Sequence, residues 1–107
     1  MDRQQQIEAF SLAAHRLAVA RIRDRPAAAT DALATLSRWR AQSVGPAHCE
    51  PCWQEWERLL RGSVDALELA VCANDDRAAV LRSVSPLGRL LGVEERKRLL
   101  REARELA

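Results

Sequence analysis

Apolar residues recur along this chain at intervals of three and four, the spacing that lines one side of an α-helix. In the first segment Ile7, Phe10, Ala14 and Leu17 make one stripe, and Leu12, Val19 and Ile22 make a second beside it. Such a wide apolar arc predicts a central helix covered by neighbours on several sides. It should end near Asp24, because the residue before Pro26 resists the helical region. A second helix is predicted from Pro26 to about Gln42, with Leu33, Leu36 and Trp39 or Arg40 on its inner face. The stretch from Ser43 to Pro51 reads as the one long loop. A third helix starts near Pro51, carries Trp53, Trp56, Leu59 and Leu60, and stops at Gly62. Ser63 can cap a fourth, whose apolar surface is Val64, Leu67, Leu69, Ala70 and Val71. Asn74 or Asp75 can cap a fifth, through Val80, Leu81 and Val84. The last begins after Gly92 and runs through Leu99, Leu100, Ala103 and Leu106. On its wet face Glu94 precedes Arg98 by four residues, the favourable order for an ion pair.

No segment alternates with the period of a strand. Six helices in 107 residues predict an all-α, compact single-domain bundle spanning positions 1–107. The expected arrangement is a long N-terminal helical hairpin, its two helices antiparallel, with the four shorter helices packed across it. Composition agrees: Tyr is absent, Phe occurs once, and Ala and Leu dominate. The formal charge of +2, from 17 basic and 15 acidic residues, is too mild to imply a nucleic-acid binder. No apolar run approaches the ~18 residues of a membrane span. Three cysteines cannot pair off and no secretory leader precedes them, so a reduced, cytoplasmic protein is expected.

Candidate chemistry is sparse. His48-Cys49-Glu50-Pro51-Cys52 contains a Cys-x-x-Cys step, the spacing that lets two thiolates reach one zinc ion. A complete site needs four ligands, and only Cys72 and the two histidines remain to supply them. No strand precedes the step, as a thioredoxin-like motif would require. Loop cysteines without metal or cofactor are therefore expected. His15 lies on the second stripe of the first helix and reads as a packed, hydrogen-bonded core residue. No nucleophile–base pair and no glycine-rich phosphate loop is present, so no enzymatic activity is expected.

The basic run Arg16, Arg21, Arg23 and Arg25 reads as a solvated face. A helix-turn-helix drawn through the fourth and fifth helices would offer only Arg77 and Arg82 in its recognition segment, behind two acids. Three tryptophans carry more information. Trp39, Trp53 and Trp56 are interleaved with Arg38, Arg40 and Arg58, and Trp and Arg are the types enriched at binding hot spots. Core positions are expected for Trp39 and Trp56. Trp53, beside the long loop, is the preferred exposed anchor, with Arg58 next to it. The candidate partner-binding set is thus Trp53, Arg58, Trp56, Arg38 and Trp39.

A further series runs through the chain in order: His15-Arg16-Leu17-Ala18, Arg25-Pro26, Leu36-Ser37-Arg38-Trp39, Glu55-Trp56-x-x-Leu59-Leu60, Leu81-Arg82-Ser83-x-Ser85-Pro86-Leu87 and Glu95-Arg96. It resembles a family of small, uncharacterised bacterial and cyanobacterial helical proteins, in which the later segment reads Leu-Arg-x-x-Ser-Pro-Phe before a Glu-Arg helix. The resemblance covers about residues 15–100 and departs at Leu87 and at His48–Cys52. It implies an antitoxin partner of a two-gene toxin–antitoxin operon, which binds and neutralises a toxic enzyme such as a nuclease or nucleotidyltransferase. The alternative is a small DNA-binding transcriptional regulator, with weak DNA binding expected of the free protein. A metal- or thiol-dependent activity at His48, Cys49 and Cys52 is the third reading. A homodimer is compatible with all three. The shared words also have structural readings: Ser85-Pro86 as a helix start, and Arg82 as a tie to the carbonyls of the loop from Ser85 to Gly88.

Overall fold

A computed structural model of the chain describes residues 2–42 and 49–105. It contains six α-helices: α1 (Arg3–Asp24), α2 (Ala27–Ala41), α3 (Glu50–Arg61), α4 (Val64–Val71), α5 (Asp76–Ser83) and α6 (Val93–Arg104). A short 3-10 helix, Gly88–Leu90, precedes α6. The all-α bundle expected from periodicity is what forms, around one shared core. The loop positions 43–48, and with them His48, lie outside the described residues, as does Leu106.

Local chemistry explains most boundaries. Asp2 caps α1 by accepting from the Gln5 N–H at 2.8 Å, while the Gln5 side chain accepts from the Asp2 N–H at 3.0 Å. Ser63 and Asp75 cap α4 and α5, as read from the sequence, by accepting from the Ala66 N–H at 3.1 Å and the Ala78 N–H at 2.8 Å. Gly92 brings no side chain to α6, so Glu95 reaches back to its N–H at 2.8 Å. The fourth and fifth helices are only eight residues each. Ser85-Pro86 opens the 3-10 turn and not an α-helix: the Ser85 hydroxyl accepts from the Leu87 N–H at 3.1 Å, a tight local turn.

Helix α1 is central, as its wide apolar arc implies. The corner Arg25-Pro26 turns the chain from α1 into α2, but α1 takes its broadest cover from α6 and α4, and α2 lies chiefly against α3. Helices α1 and α6 run antiparallel. Arg21 near the end of α1 meets Glu95 at the start of α6, and Gln6 approaches the Arg104 carbonyl at the other end. Two details differ from expectation. Glu94 pairs with Lys97 at 3.7 Å, and Arg98 turns to Glu102 at 3.8 Å. Leu69 and Val80, assigned to apolar surfaces facing inward, are 78% and 54% exposed.

Candidate functional site

The five candidate residues do not form one surface. Trp56 has no exposed surface at all; its indole N–H donates to the Leu81 carbonyl at 2.9 Å and its ring lies 6.2 Å from that of His15. Trp53 is only 8% exposed, which overturns its assignment as the exposed anchor. Its position follows from helical phase. Trp53, Trp56 and Leu60 sit at i, i+3 and i+7, so the face of α3 that buries Trp56 must bury Trp53 too. Trp39 is half-buried and lies 6.2 Å from Trp53, ring to ring. The tryptophans therefore build the core, while Arg58 and Arg38 remain outside on different surfaces.

Arg58 lies in a groove of about 370 Å³ between α3, α4 and α5. Leu59 forms its floor, Ala66, Leu69 and Ala70 one wall, and Glu55, Arg58, Asp75 and Arg77 the rim. Glu55 holds the rim together, accepting from Arg58 Nε at 3.0 Å and standing 3.8 Å from Arg77. The Arg58 hydrogen bonds, with the Arg77 charge behind them, hold the Glu55 carboxyl below its ordinary range. Leu69 and Arg77 are the members that sequence reasoning missed. The signal was available: Leu69 stands two positions from Leu67, on the side of α4 opposite the Leu67–Val71 stripe.

Arg38 borders a larger cleft, about 630 Å³, between the end of α1, one face of α2 and the segment before α6. The α2 face is Asp31, Ala34, Thr35 and Arg38, at i, i+3, i+4 and i+7. Arg38 donates to the Thr35 hydroxyl at 3.2 Å, and Thr35 in turn donates to the Asp31 carbonyl at 3.3 Å. Arg21 closes the cleft, forked onto Glu95 and donating to the Leu90 carbonyl at 2.7 Å. That pairing holds Glu95 down to about 2. The basic run is thus only partly a solvated face. Arg21 ties α1 to α6, and Arg23 ties it to α4 through Asp65 at 2.9 Å and Glu68 at 2.8 Å.

The remaining candidates are structural. His15 is buried; its Nδ1–H donates to the Ser11 carbonyl at 2.7 Å, and burial lowers its pKa, with the Arg82 charge adding to the effect. Arg82 is also buried and does bind carbonyls, but not those of the loop after Ser85. It donates to Val71 at 2.7 Å and Ala73 at 2.8 Å, closing the turn between α4 and α5. Arg96 is the residue that reaches the Gly88 carbonyl, at 3.4 Å. Cys49 is buried at the start of α3, Cys52 and Cys72 are half-buried, and all three are free thiols. Burial pushes the Cys72 thiol up. Among the described residues no three His, Cys, Asp or Glu side chains gather around a point that could hold a metal, and no helix is long and apolar enough to cross a membrane. No protein-family model, curated protein or solved structure matches this chain.

Proposed function

We propose that this chain is a protein-binding module acting in the cytoplasm as the antitoxin of a two-gene pair, covering a co-encoded toxic enzyme. The observation that carries the reading is Leu69, 78% exposed beside a groove whose rim is charged on both sides. An apolar centre inside a polar rim is the anatomy of a protein interface. Val80 extends the apolar surface along α5, one turn beyond Arg77. Burying one leucine side chain contributes about 1.5–3 kcal/mol, enough to anchor a partner if the rim charges are matched. Arg58 on the rim would then orient the partner, while Trp39, Trp53 and Trp56 build the core and take no part in the contact.

The test is co-expression with the product of the adjacent gene, followed by affinity capture and a toxicity assay. The neighbour should arrest growth alone and be tolerated in the presence of this chain. Leu69→Asp should abolish capture while leaving the helical circular dichroism spectrum intact. A harmless neighbour, or a pair that never associates, removes the antitoxin reading. Association that survives Leu69→Asp and Arg58→Ala together removes this surface.

A further inference from the structure

The cleft that holds Arg38 is larger than the groove around Leu69 and has a different chemistry. We propose that it is a binding site for a nucleotide-sized organic phosphate, a function independent of the partner surface.

Shape comes first. A volume of about 630 Å³ falls within the range of roughly 300–1,000 Å³ typical of small-ligand sites. Its floor is apolar and rigid, made of Ala32, Pro86 and Leu90, all buried in the fold. Ala34 keeps the α2 side open, because a small residue stands where the helix face meets the cleft.

The charges then select the ligand. Four arginines border the cleft, and one of them, Arg21, is already neutralised by Glu95, with Asp24 also close enough to favour its charge. Arg25, Arg38 and Arg89 have no carboxylate partner among the described residues. A guanidinium fork matches a phosphate bidentately, and several forks around one concave surface hold an oxyanion better than the same charges scattered on a convex one. Asp24 and Asp31 also face the cleft, and their placement is informative. Asp31 and Arg38 lie seven residues apart on one face of α2, which is two turns or about 10 Å. Asp24 and Asp31, with Arg25 beside them at the α1–α2 corner, face the base and accept hydrogen bonds from its amino N–H group, and Arg38 receives phosphate at the far end. A nucleotide carries both kinds of group. A continuous phosphate backbone does not, and the two aspartates would repel it.

The experiment is calorimetric titration of the full chain with ATP and with inorganic pyrophosphate, at physiological salt. ATP should bind saturably and more tightly than pyrophosphate, which lacks the base. Arg38→Ala and Arg89→Ala should each weaken ATP by about tenfold, equivalent to roughly 1.4 kcal/mol. Ala34→Trp, which fills the cleft without altering any charge, should abolish binding. Circular dichroism of each variant confirms that the helices are retained, and Arg101→Ala on α6 should bind as the parent does. Three results would overturn the proposal: no binding at millimolar ATP, binding that survives Ala34→Trp, or stronger binding of an oligonucleotide that Arg101→Ala weakens as much as Arg38→Ala.

Discussion

Arg82 offers the sharpest test of what holds the small helices in place. It is buried, it meets no carboxylate among the described residues, and it donates to the carbonyls of Val71 and Ala73. Val71 is the last residue of α4, so the guanidinium sits at the negative end of that helix's dipole. A hydrogen bond to a charged group contributes about 1.5–3 kcal/mol, so two give roughly 3–6. Against this, replacing Arg by Met removes the cost of keeping a cation out of water, which is itself several kcal/mol. The Met variant still strands two carbonyls, of which Val71 is the more deeply buried, at about 1–3 kcal/mol each. Arg82→Met should therefore destabilise the fold by about 3 kcal/mol, a fall in Tm on the order of 15 °C for a domain of this size. Arg82→Lys keeps a charge and loses the fork, and should cost about half as much. Urea denaturation followed by circular dichroism measures both. A Met variant within about 0.5 kcal/mol of the parent would show that the two hydrogen bonds only offset the cost of burying the cation, and that Arg82 does not hold the small helices in place.

Three further outcomes are expected. His15 has its pKa lowered in the folded state, so between pH 8 and pH 5 the unfolded chain binds more protons: stability should be full above about 6.5 and decline as pH falls below it. Replacing His15 with Gln should flatten that part of the urea-midpoint profile, and an unchanged slope would remove His15 as its cause. Glu95, held at about 2, contributes stability that is present above its ordinary value and lost as pH falls towards 2, so Glu95→Gln should weaken the acid dependence of unfolding. Trp53→Ala should cost about 3–5 kcal/mol as a core truncation, read by thermal melting; a variant as stable as the parent would return Trp53 to the surface.

Helix existence, two of the caps and the fate of His15 were legible because each rests on neighbours in sequence: a three-and-four repeat, a Ser or Asp before it, a lone imidazole on an apolar stripe. Long-range ties were not. Nothing near Arg21 in the chain points to Glu95, 74 positions away, and a basic run without visible acids reads as solvated. Trp53 was misplaced for another reason. Proximity to a loop suggests exposure, but the helical phase that binds Trp53 to Trp56 is the stronger constraint when one face carries both indoles. Leu69 shows the reverse error, an apolar residue counted inward although it lies off the stripe. For Arg82 the sequence points to the right chemistry and the wrong target, since carbonyls are anonymous in a sequence and only the turn of the backbone selects them.

The antiparallel seating of α6 on α1 also sets an order of events during synthesis. Helix α1 is complete at Asp24, yet its broadest cover ends at Arg104, 104 − 24 = 80 residues later. At roughly 5–20 residues per second, a ribosome needs on the order of 4–16 s to supply it. A helix of this length forms within about a microsecond, so α1 exists long before α6 does, and α2, α4 and α5 can cover only part of its apolar arc in the interval. Its ties to α6, Gln6 to Arg104 and Arg21 to Glu95, are separated by 98 and 74 positions and close last. The face of α1 that α6 covers is therefore the last part of the core to be sealed as the chain is made.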